Sequence, residues 1–492
     1  MKSIIADKDG AVPEGGVQET ASRWALLGLA LSMLLPFLGV SSANVALPTL
    51  IEVFSASFGQ VQWVVLSYLL TITIVIVNAG RLGDLLGHKR VLLGGIMLFT
   101  AASILCSVAP TLPVLIAARA LQGLGGAVLM ALTVALVRDA VPEERTGSAM
   151  GLLGSMSAIG TALGPSLGGL LIAGPGWRGI FLVMVPLGIL AFLLVRRYLP
   201  EDASREAAKR KAFDLWGTLF LGLTLAAYAL ALTAGGEDFD RVRPILILMS
   251  LICGGLFLLV EARASAPLIR LAAFRDVELS AGLMMTALVS TVMMATLIVG
   301  PFYLSRGLGL EEMMVGAVMS VGPGVSVLCG VPAGRVVDRL GASATVMIGL
   351  VVMAAGVVAL IVLPPIGGVA GYIAAIALLA PGYQLFQAAN NTSVMAGVPQ
   401  ERRGVVSGLL SLSRNLGFIT GASVMGALFT FASARAGISA SGPEVATIGM
   451  KVAFIAAAGL IAMAIILSIG SRVLSKLDWR SGPPDDATRR DR

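Results

Sequence analysis

The chain of 492 residues is 57% hydrophobic and only 13% charged, with a formal net charge of +7 at pH 7. Soluble domains contain about 25% charged residues, so this composition excludes a water-soluble globule and predicts a protein that lipid surrounds. The basic residues lie in loops between apolar blocks and form no stripe with stacking aromatic residues, which argues against a nucleic-acid partner.

Apolar runs recur along the whole chain at the length of a bilayer-spanning helix, about 20 residues for a core of about 30 Å. Residues 1–23 lack a basic region followed by a cleavable apolar stretch, so we expect a cytoplasmic tail and not a signal peptide. The pattern predicts an all-α membrane protein with fourteen spans, near residues 24–47, 60–80, 91–109, 112–137, 147–173, 178–198, 213–234, 244–262, 279–304, 312–334, 343–363, 367–390, 404–433 and 450–473.

The distribution of Lys and Arg predicts the orientation of these spans. With the amino terminus inside, inner loops and tails carry 27 basic residues and outer loops six, while Arg119 and Arg414 fall within spans. Loops rich in Lys and Arg stay in the cytoplasm, so both termini are expected there, in a multi-pass protein. The basic loop from Arg196 to Lys211 is interpreted as part of this signal, touching anionic lipid, with a regulatory surface as the alternative.

Two internal repeats predict duplicated halves. At an offset of 257, residues 141–169 match residues 398–426 at 12 of 29 positions. At an offset of 254, the segment 80–87 matches the segment 334–341. Because each match joins one inner loop to another, we expect two parallel six-helix bundles about a central site. The predicted organisation is a tail at 1–23, a bundle at 24–198, a basic loop with inserted helices 7 and 8 at 199–278, a second bundle at 279–474 and a cytoplasmic tail at 475–492.

The loop after span 2 and the middle of span 4 carry the most informative residues. The loop contains three glycines that allow backbones to approach closely, and its candidate gating residues are Gly80, Asp84, Gly87 and Arg90. In span 4, Arg119 and Gln122 are three positions apart and share a helix face. An arginine at the membrane centre costs about 3 kcal/mol on insertion scales, so it is expected to face the bundle interior and to mark a functional site.

Span 5 carries glycines at four-residue spacing together with a proline that removes one backbone hydrogen bond. This pattern is typical of a closely packed, bent helix, and the residues concerned are Gly160, Gly164, Pro165, Gly168 and Gly169. The second half keeps the glycines at 417 and 421 but has Ala422 in place of the proline, so the bend is expected in the first half alone.

These motifs resemble the signatures of the major facilitator superfamily, although His88 stands where the loop motif usually has Arg. With Asn44-Val-Ala-Leu-Pro-Thr49 in span 1 and Trp177-Arg-Gly-Ile-Phe in span 6, the chain resembles the fourteen-helix drug:proton antiporter branch. The resemblance implies two six-helix bundles plus two inserted helices. It also implies proton transfer at Arg119 and Gln122, and export, because the span 5 motif is associated with antiporters.

The same resemblance implies an inner gate. Asp84 would hold the halves together by facing the helix N-terminus near residue 404, where a carboxylate is favoured by about 0.3–1 kcal/mol. The repeat supplies a mirror pair, Asp338 facing residues 146–147. Arg414 is interpreted either as the second-half counterpart of Arg119 or as a residue that ties Asn415 to the backbone.

The proton carrier is where the chain departs from this branch, which usually has an aspartate in span 1 at the position of Gly39. Spans 1 to 6 contain no mid-membrane carboxylate. The remaining candidates are Asp84 acting with Arg119, Glu261, Asp276 and Glu278. A facilitator that needs no proton is the alternative.

We expect a secondary transporter and not an enzyme, with no catalytic residues. The chain lacks a Gly-x-x-x-x-Gly-Lys-Ser/Thr loop for ATP, and its one histidine lies in a basic loop. Its three cysteines lie in apolar blocks, so no metal is expected, and no cofactor beyond the proton gradient. The expected partners are a small-molecule substrate, protons and the lipid bilayer. We expect a monomer in the bacterial inner membrane. Uptake of a metabolite is the alternative direction.

Substrate-site candidates are polar or soft residues expected to face the central cavity. For each one alone, a helix–helix contact is the competing interpretation. The candidates are Ser41, Ser42, Asn44, Tyr68, Met293, Met294, Gln384, Gln387 and Asn391.

Overall fold

The structure is a computed structural model that describes residues 14–140, 146–200, 215–233, 237–264, 276–396, 403–435 and 443–481. All regular secondary structure in these ranges is helical. The α-helices are α1 (Glu14–Phe54), α2 (Phe58–Leu86), α3 (His88–Val108), α4 (Leu112–Ala140), α5 (Thr146–Ala173), α6 (Gly179–Leu182), α7 (Met184–Tyr198), α8 (Leu215–Thr233), α9 (Glu237–Arg263), α10 (Val277–Phe302), α11 (Glu312–Met319), α12 (Val321–Leu340), α13 (Ala342–Met395), α14 (Arg403–Thr420), α15 (Gly426–Arg435) and α16 (Pro443–Ser481).

Twelve helical segments of the described ranges are long and apolar enough to cross a membrane. The all-helical architecture agrees with the sequence prediction, whereas the number differs from the predicted fourteen. The difference arises at two places, α13 and the segment from α14 to α15.

Helix α13 contains 54 residues but is not one straight rod. Its backbone leaves the helical region at Gly368, where φ is 52° and ψ is −128°. On either side of this point the chain packs against itself. A Cβ added at Gly356 would lie 2.6 Å from the Cα of Leu379, and one at Gly349 would lie 2.5 Å from the backbone nitrogen of Phe386. These paired approaches show that α13 is a hairpin of two antiparallel helices.

Residues 403–435 are helical throughout, but a π-helical turn at Gly421–Met425 separates α14 from α15. Neither α14 nor α15 is one of the twelve segments. The bend expected at Pro165 in the first half alone remains a prediction. The chain around Pro165 is assigned to the single helix α5, while the second half departs from α geometry at the position equivalent to Pro165.

The internal repeat is visible in the loops that follow α2 and α12. Gly87 ends α2 with φ of 96°, and Gly341 ends α12 with φ of 80°, and the next helix begins one residue later in each case. Only glycine adopts such backbone angles readily. Each glycine N–H closes the preceding helix, onto the carbonyls of Gly83 and Val337 respectively, both at 2.9 Å. The two loops therefore have the same backbone construction.

Two glycines of span 5, Gly160 and Gly164, and their repeat partners Gly417 and Gly421 pack on the first helix of their own half. A Cβ at Gly160 would lie 2.8 Å from the carbonyl oxygen of Leu34 in α1, and one at its repeat partner Gly417 would collide with the carbonyl oxygen of Ala287 in α10. Small residues allow helices in lipid to approach to backbone contact, which replaces the hydrophobic driving force that is absent there. Both halves thus use the same close pair.

Helices α8 and α9 pack on each other, and α8 lies against α2. The side chain of Trp63 donates a hydrogen bond to Thr233 over 3.0 Å, and that of Asn78 donates to Thr218 over 2.6 Å. Helix α9 exposes large apolar side chains along its length, with Leu251 exposed to 69%. An apolar face of this kind suits lipid. The predicted boundaries at 23, 198, 278 and 474 remain predictions.

Candidate functional site

The two halves meet at one end of the helix bundle, which we call the closed end and which contains Phe58, Gln62, Phe302, Ala422 and Phe429. The side-chain nitrogen of Gln62 donates to the carbonyl oxygen of Ala422 over 2.9 Å. The rings of Phe58, Phe302 and Phe429 form a cluster in which the Phe58 centroid lies 4.6 Å from that of Phe302 and 5.6 Å from that of Phe429. Because Ala422 belongs to the π turn, Gln62 satisfies a carbonyl in a helix whose regular hydrogen-bond pattern is interrupted.

A second contact between the halves at this end is made by glycines. A Cβ added at Gly169 in α5 would lie 2.5 Å from the carbonyl oxygen of Glu312 and 3.0 Å from the Cα of Gly316 in α11. The two helices therefore touch through their main chains. In the repeat, Gly169 corresponds to Gly426, where an added Cβ would collide with the Gln62 side chain. The closed end is thus built from two contacts whose glycines are related by the repeat.

A cavity of about 200 Å³ lies in the second half, towards the opposite end from the closed end. Its walls come from α10, from the second helix of α13 and from α14. The lining is polar and aromatic and consists of Thr286, Ser290, Tyr383, Phe386, Gln387, Asn390, Asn391, Met395, Leu410, Ser411 and Arg414.

Three of the residues singled out from the sequence come together in this cavity: Gln387, Asn391 and Arg414. Two others from the second half, Met293 and Gln384, are half-buried and lie outside this lining. Arg414 is half-buried, unlike the fully buried Arg119, so the two arginines do not occupy equivalent environments.

The first-half candidates Ser41, Asn44 and Tyr68 are buried in contacts within their own half. The Ser41 hydroxyl donates to a backbone carbonyl of α5 over 2.7 Å, and the Tyr68 hydroxyl donates to one of α1 over 3.0 Å. Asn44 donates to a carbonyl one turn earlier in α1 over 3.1 Å, while its side-chain oxygen has no hydrogen bond among the described residues. In this conformation the three side chains therefore serve helix packing.

Arg119 is fully buried inside the first half. Its Nε donates to the backbone carbonyl of Val64 over 2.8 Å, and its Nη1 donates to the side-chain oxygen of Gln122. The guanidinium carbon lies 4.2 Å from the centroid of the Tyr68 ring and 5.7 Å from that of Phe181. Cation–π contacts of this kind contribute about 0.5–2 kcal/mol each, so the charge is held by dipoles and aromatic faces.

Gln122 extends this network, since its side-chain nitrogen donates to the Ser103 hydroxyl over 2.7 Å. No carboxylate within the described part of the chain forms an ion pair with Arg119, and its Nη2 has no hydrogen-bond partner there. A Cβ at Gly39 would lie 3.7 Å from both the Tyr68 hydroxyl and the Met184 sulfur, which is ordinary contact. The position that carries an acid in the resembled branch is therefore adjacent to Tyr68, beside the buried arginine.

The other gating and proton-carrier candidates are scattered. Arg90, Asp338, Asp276 and Glu278 are exposed, and Glu261 is only 3% exposed. The carboxylate of Asp276 caps α10 by accepting from two backbone N–H groups, at 2.9 and 3.1 Å.

Part of the predicted inner gate falls outside the described residues. These parts are the side chains of Asp84 and of residues 146–147 and 404–405, and most of the basic loop, at 201–214. Gly80 lies within α2, but a contact between Asp84 or Asp338 and the other half remains a prediction.

Several residues that sequence reasoning missed contribute to these sites. Ser103 is the third member of the Arg119 network, and Gln62 joins the halves. Thr286, Ser290, Tyr383, Asn390 and Ser411 belong to the cavity lining. The one available signal was their polarity within otherwise apolar spans, most clearly the adjacent pair Asn390 and Asn391.

Residues 29–422 match the Major Facilitator Superfamily. Similar proteins include the uncharacterized transporter YebQ of Escherichia coli (strain K12), 31% identical over 82% of this chain and 88% of that protein. The riboflavin transporter RibZ of Clostridioides difficile (strain 630) is 30% identical over 83% and 88% of the two chains. The multidrug resistance protein Stp of Mycobacterium tuberculosis is 32% identical over 82% and 75%.

Among solved structures, the chain resembles a bacterial homolog of the human lysosomal transporter Spinster, in an inward-facing and unoccupied conformation. The TM-score is 0.67 at 15% identity, covering 95% of this chain and 99% of the other. This likeness supports the fold.

Proposed function

The chain belongs to the Major Facilitator Superfamily, and from this premise we propose that it exports small, amphipathic or drug-like molecules in exchange for protons. The observation that carries the proposal is the position of the polar cavity, which lies away from the end where the two halves touch. A transporter that alternates access needs a binding wall between halves that close at one side at a time. The relative named for multidrug resistance, Stp, supports export.

We further propose fourteen membrane crossings. Helix α13, with 54 residues, would be about 81 Å long as a single rod, whereas the hydrocarbon core is about 30 Å thick. Its two antiparallel parts therefore provide two crossings. Because α13 counts once among the twelve segments, its second helix adds one crossing and residues 403–435 add another, which gives the fourteen predicted from the sequence.

The proposed orientation places both termini in the cytoplasm and the closed end outside. We expect a cysteine replacing Phe239, in a cysteine-free background, to react with a membrane-impermeant maleimide in intact cells. One replacing Arg205 should react only after permeabilisation, because its loop is rich in basic residues that stay inside. Labelling in the opposite order would invert the orientation, and with it the direction assigned to the cavity.

The proposed proton carrier is a carboxylate away from Arg119. Arg119 lies beside Gly39 and has no ion pair among the described residues, so the carrier would be a carboxylate elsewhere, with Asp84, Glu261, Asp276 and Glu278 as candidates. Arginine stays protonated, and its proposed role is to bias the neighbouring network, not to release a proton. The lack of an ion pair between Arg119 and a carboxylate among the described residues also favours the second candidate function, a facilitator without proton coupling.

Purified protein in proteoliposomes distinguishes these two functions. With an ethidium-type dye as the probe, an imposed pH gradient of two units should raise the initial flux at least about fivefold over the flux without a gradient. A protonophore should remove the increase, while empty liposomes control for leakage. Flux that is equal with and without the gradient would replace antiport by facilitated diffusion.

A further inference from the structure

One charged side chain lines the cavity of the second half, and it is a cation. The eleven lining residues include Arg414 and no Asp, Glu or Lys. Among the described residues, no hydrogen bond or ion pair of Arg414 is formed, although its side chain is half-buried within α14. Within the described ranges, the cavity wall therefore presents one positive charge and no negative one.

Arg414 and Arg119 differ in the groups that surround their guanidinium. Arg119 is surrounded by a carbonyl, an amide oxygen and two aromatic faces, and it is sealed from the cavity by full burial. Arg414 has no comparable set of acceptors. A cation held partly out of water is costly unless an anion or several acceptors approach it, and a guanidinium binds a carboxylate through two parallel hydrogen bonds. The missing partner is therefore best supplied by a ligand.

The neighbours of Arg414 describe the rest of that ligand. The amides of Gln387 and Asn391 and the hydroxyl of Ser411 line the same wall, and the rings of Tyr383 and Phe386 provide apolar faces. Asn390 is already used by the protein, since it donates to the Gly282 carbonyl over 3.2 Å and to the Thr286 hydroxyl over 2.9 Å. The cavity volume of about 200 Å³ is below the roughly 300–1,000 Å³ that enclose a whole drug-sized molecule. It suits the polar end of one.

We propose that Arg414 selects substrates that carry a carboxylate or similar oxyanion on an aromatic body. The anionic group contacts the guanidinium, the side-chain amides complete its hydrogen bonds, and the aromatic body extends past Tyr383 into the space between the halves. The inference rests on the proposed transport function and specifies its substrate class.

A pair of probes of the same shape, one with a carboxylate and one with the neutral carboxamide, tests this selection. We choose 7-diethylaminocoumarin-3-carboxylic acid and its primary carboxamide, titrated by fluorescence against the protein in lipid nanodiscs without a pH gradient. The wild type should bind the acid at least about tenfold more tightly than the amide, because charge-assisted hydrogen bonds are about twice as strong as neutral ones. Arg414→Gln should weaken binding of the acid by the same factor and leave the amide unchanged.

Two further variants complete the design. Arg414→Lys keeps the charge without the planar fork and should retain a reduced preference for the acid. Arg263→Gln removes an exposed arginine at the end of α9, away from the cavity, and should behave as the wild type. Unchanged binding of the amide to Arg414→Gln shows that the variant is folded.

Equal binding of the two probes by the wild type, binding of neither probe, or an acid preference that persists in Arg414→Gln would each overturn the proposal. Because these titrations need no gradient, their failure is separate from failure of antiport. Gradient-driven export of the cationic ethidium-type dye together with equal binding of the two coumarin probes would refute the substrate class alone. If the flux does not depend on the pH gradient but the preference for the acid probe depends on Arg414, proton coupling alone is refuted.

Discussion

Replacing Arg119 with alanine is expected to abolish gradient-driven transport while substrate binding survives. The substitution removes the charge and leaves the Gln122 oxygen and the Val64 carbonyl without their donor inside a fully buried site. Each orphaned acceptor costs about 1–3 kcal/mol, so the loss of stability should also lower the melting temperature by several degrees. Initial flux in proteoliposomes should fall at least about 100-fold, which corresponds to about 2.7 kcal/mol in the barrier.

Arg119→Lys should lie between the wild type and Arg119→Ala. Lysine keeps the positive charge but lacks the planar fork that reaches Gln122 and stacks on Tyr68. The matched control is Arg178→Lys, because Arg178 also donates to a backbone carbonyl, over 3.3 Å, and lies 4.4 Å from an aromatic ring, yet is exposed. Arg178→Lys should lower the free energy of unfolding by less than about 1 kcal/mol. Wild-type flux from Arg119→Ala would remove this network from the coupling mechanism.

The second large effect is expected at the glycine contact between the halves. Gly169→Ala places a Cβ 2.5 Å from the Glu312 carbonyl oxygen and 3.0 Å from the Cα of Gly316. These are backbone atoms that cannot rotate away, and overpacking of this kind costs about 1–3 kcal/mol. The equilibrium should therefore shift about 5- to 160-fold away from the conformation in which this end is closed, and transport should fall by a similar factor.

Spin labels on Glu52 and Glu311 report this shift, because both residues are exposed and they lie in different halves near the closed end. Their distance distribution should move to longer values in Gly169→Ala. Gly154→Ala is the matched control in the same helix, since an added Cβ there meets no atom within 4 Å. If the distribution and the flux of Gly169→Ala equal those of Gly154→Ala, the main-chain contact does not control closure.

The architecture was largely predictable because apolar length and basic-residue placement are coarse signals that many residues share. The helical class, the positions of most spans and the duplicated loops at Gly87 and Gly341 follow from such patterns. The π turn at Gly421–Met425 does not, because its neighbours, Thr291 in α10 and Gln62 in α2, are distant in the sequence. The residues adjacent to the turn in the sequence do not indicate these contacts.

The candidate sites were less predictable, for a related reason. An arginine within a span stands out, so Arg119 and Arg414 are both visible in the sequence. Burial by aromatic faces in one case and exposure to a cavity in the other depends on which helices surround them. Ser41 and Tyr68 look like cavity residues for the same reason that they make good packing residues, since a polar group in lipid must find a partner.

The hairpin of α13 has a consequence for biogenesis. Residues 342–395 contain no Asp, Glu, Lys or Arg, so neither of its helices carries a charge that could orient it independently during insertion. The nearest cations before it, Arg335 and Arg339, lie at the end of α12. The backbone-close glycine packing and the short turn at Gly368 favour entry of the pair as a single unit. The topology of both helices is then inherited from the chain that precedes them.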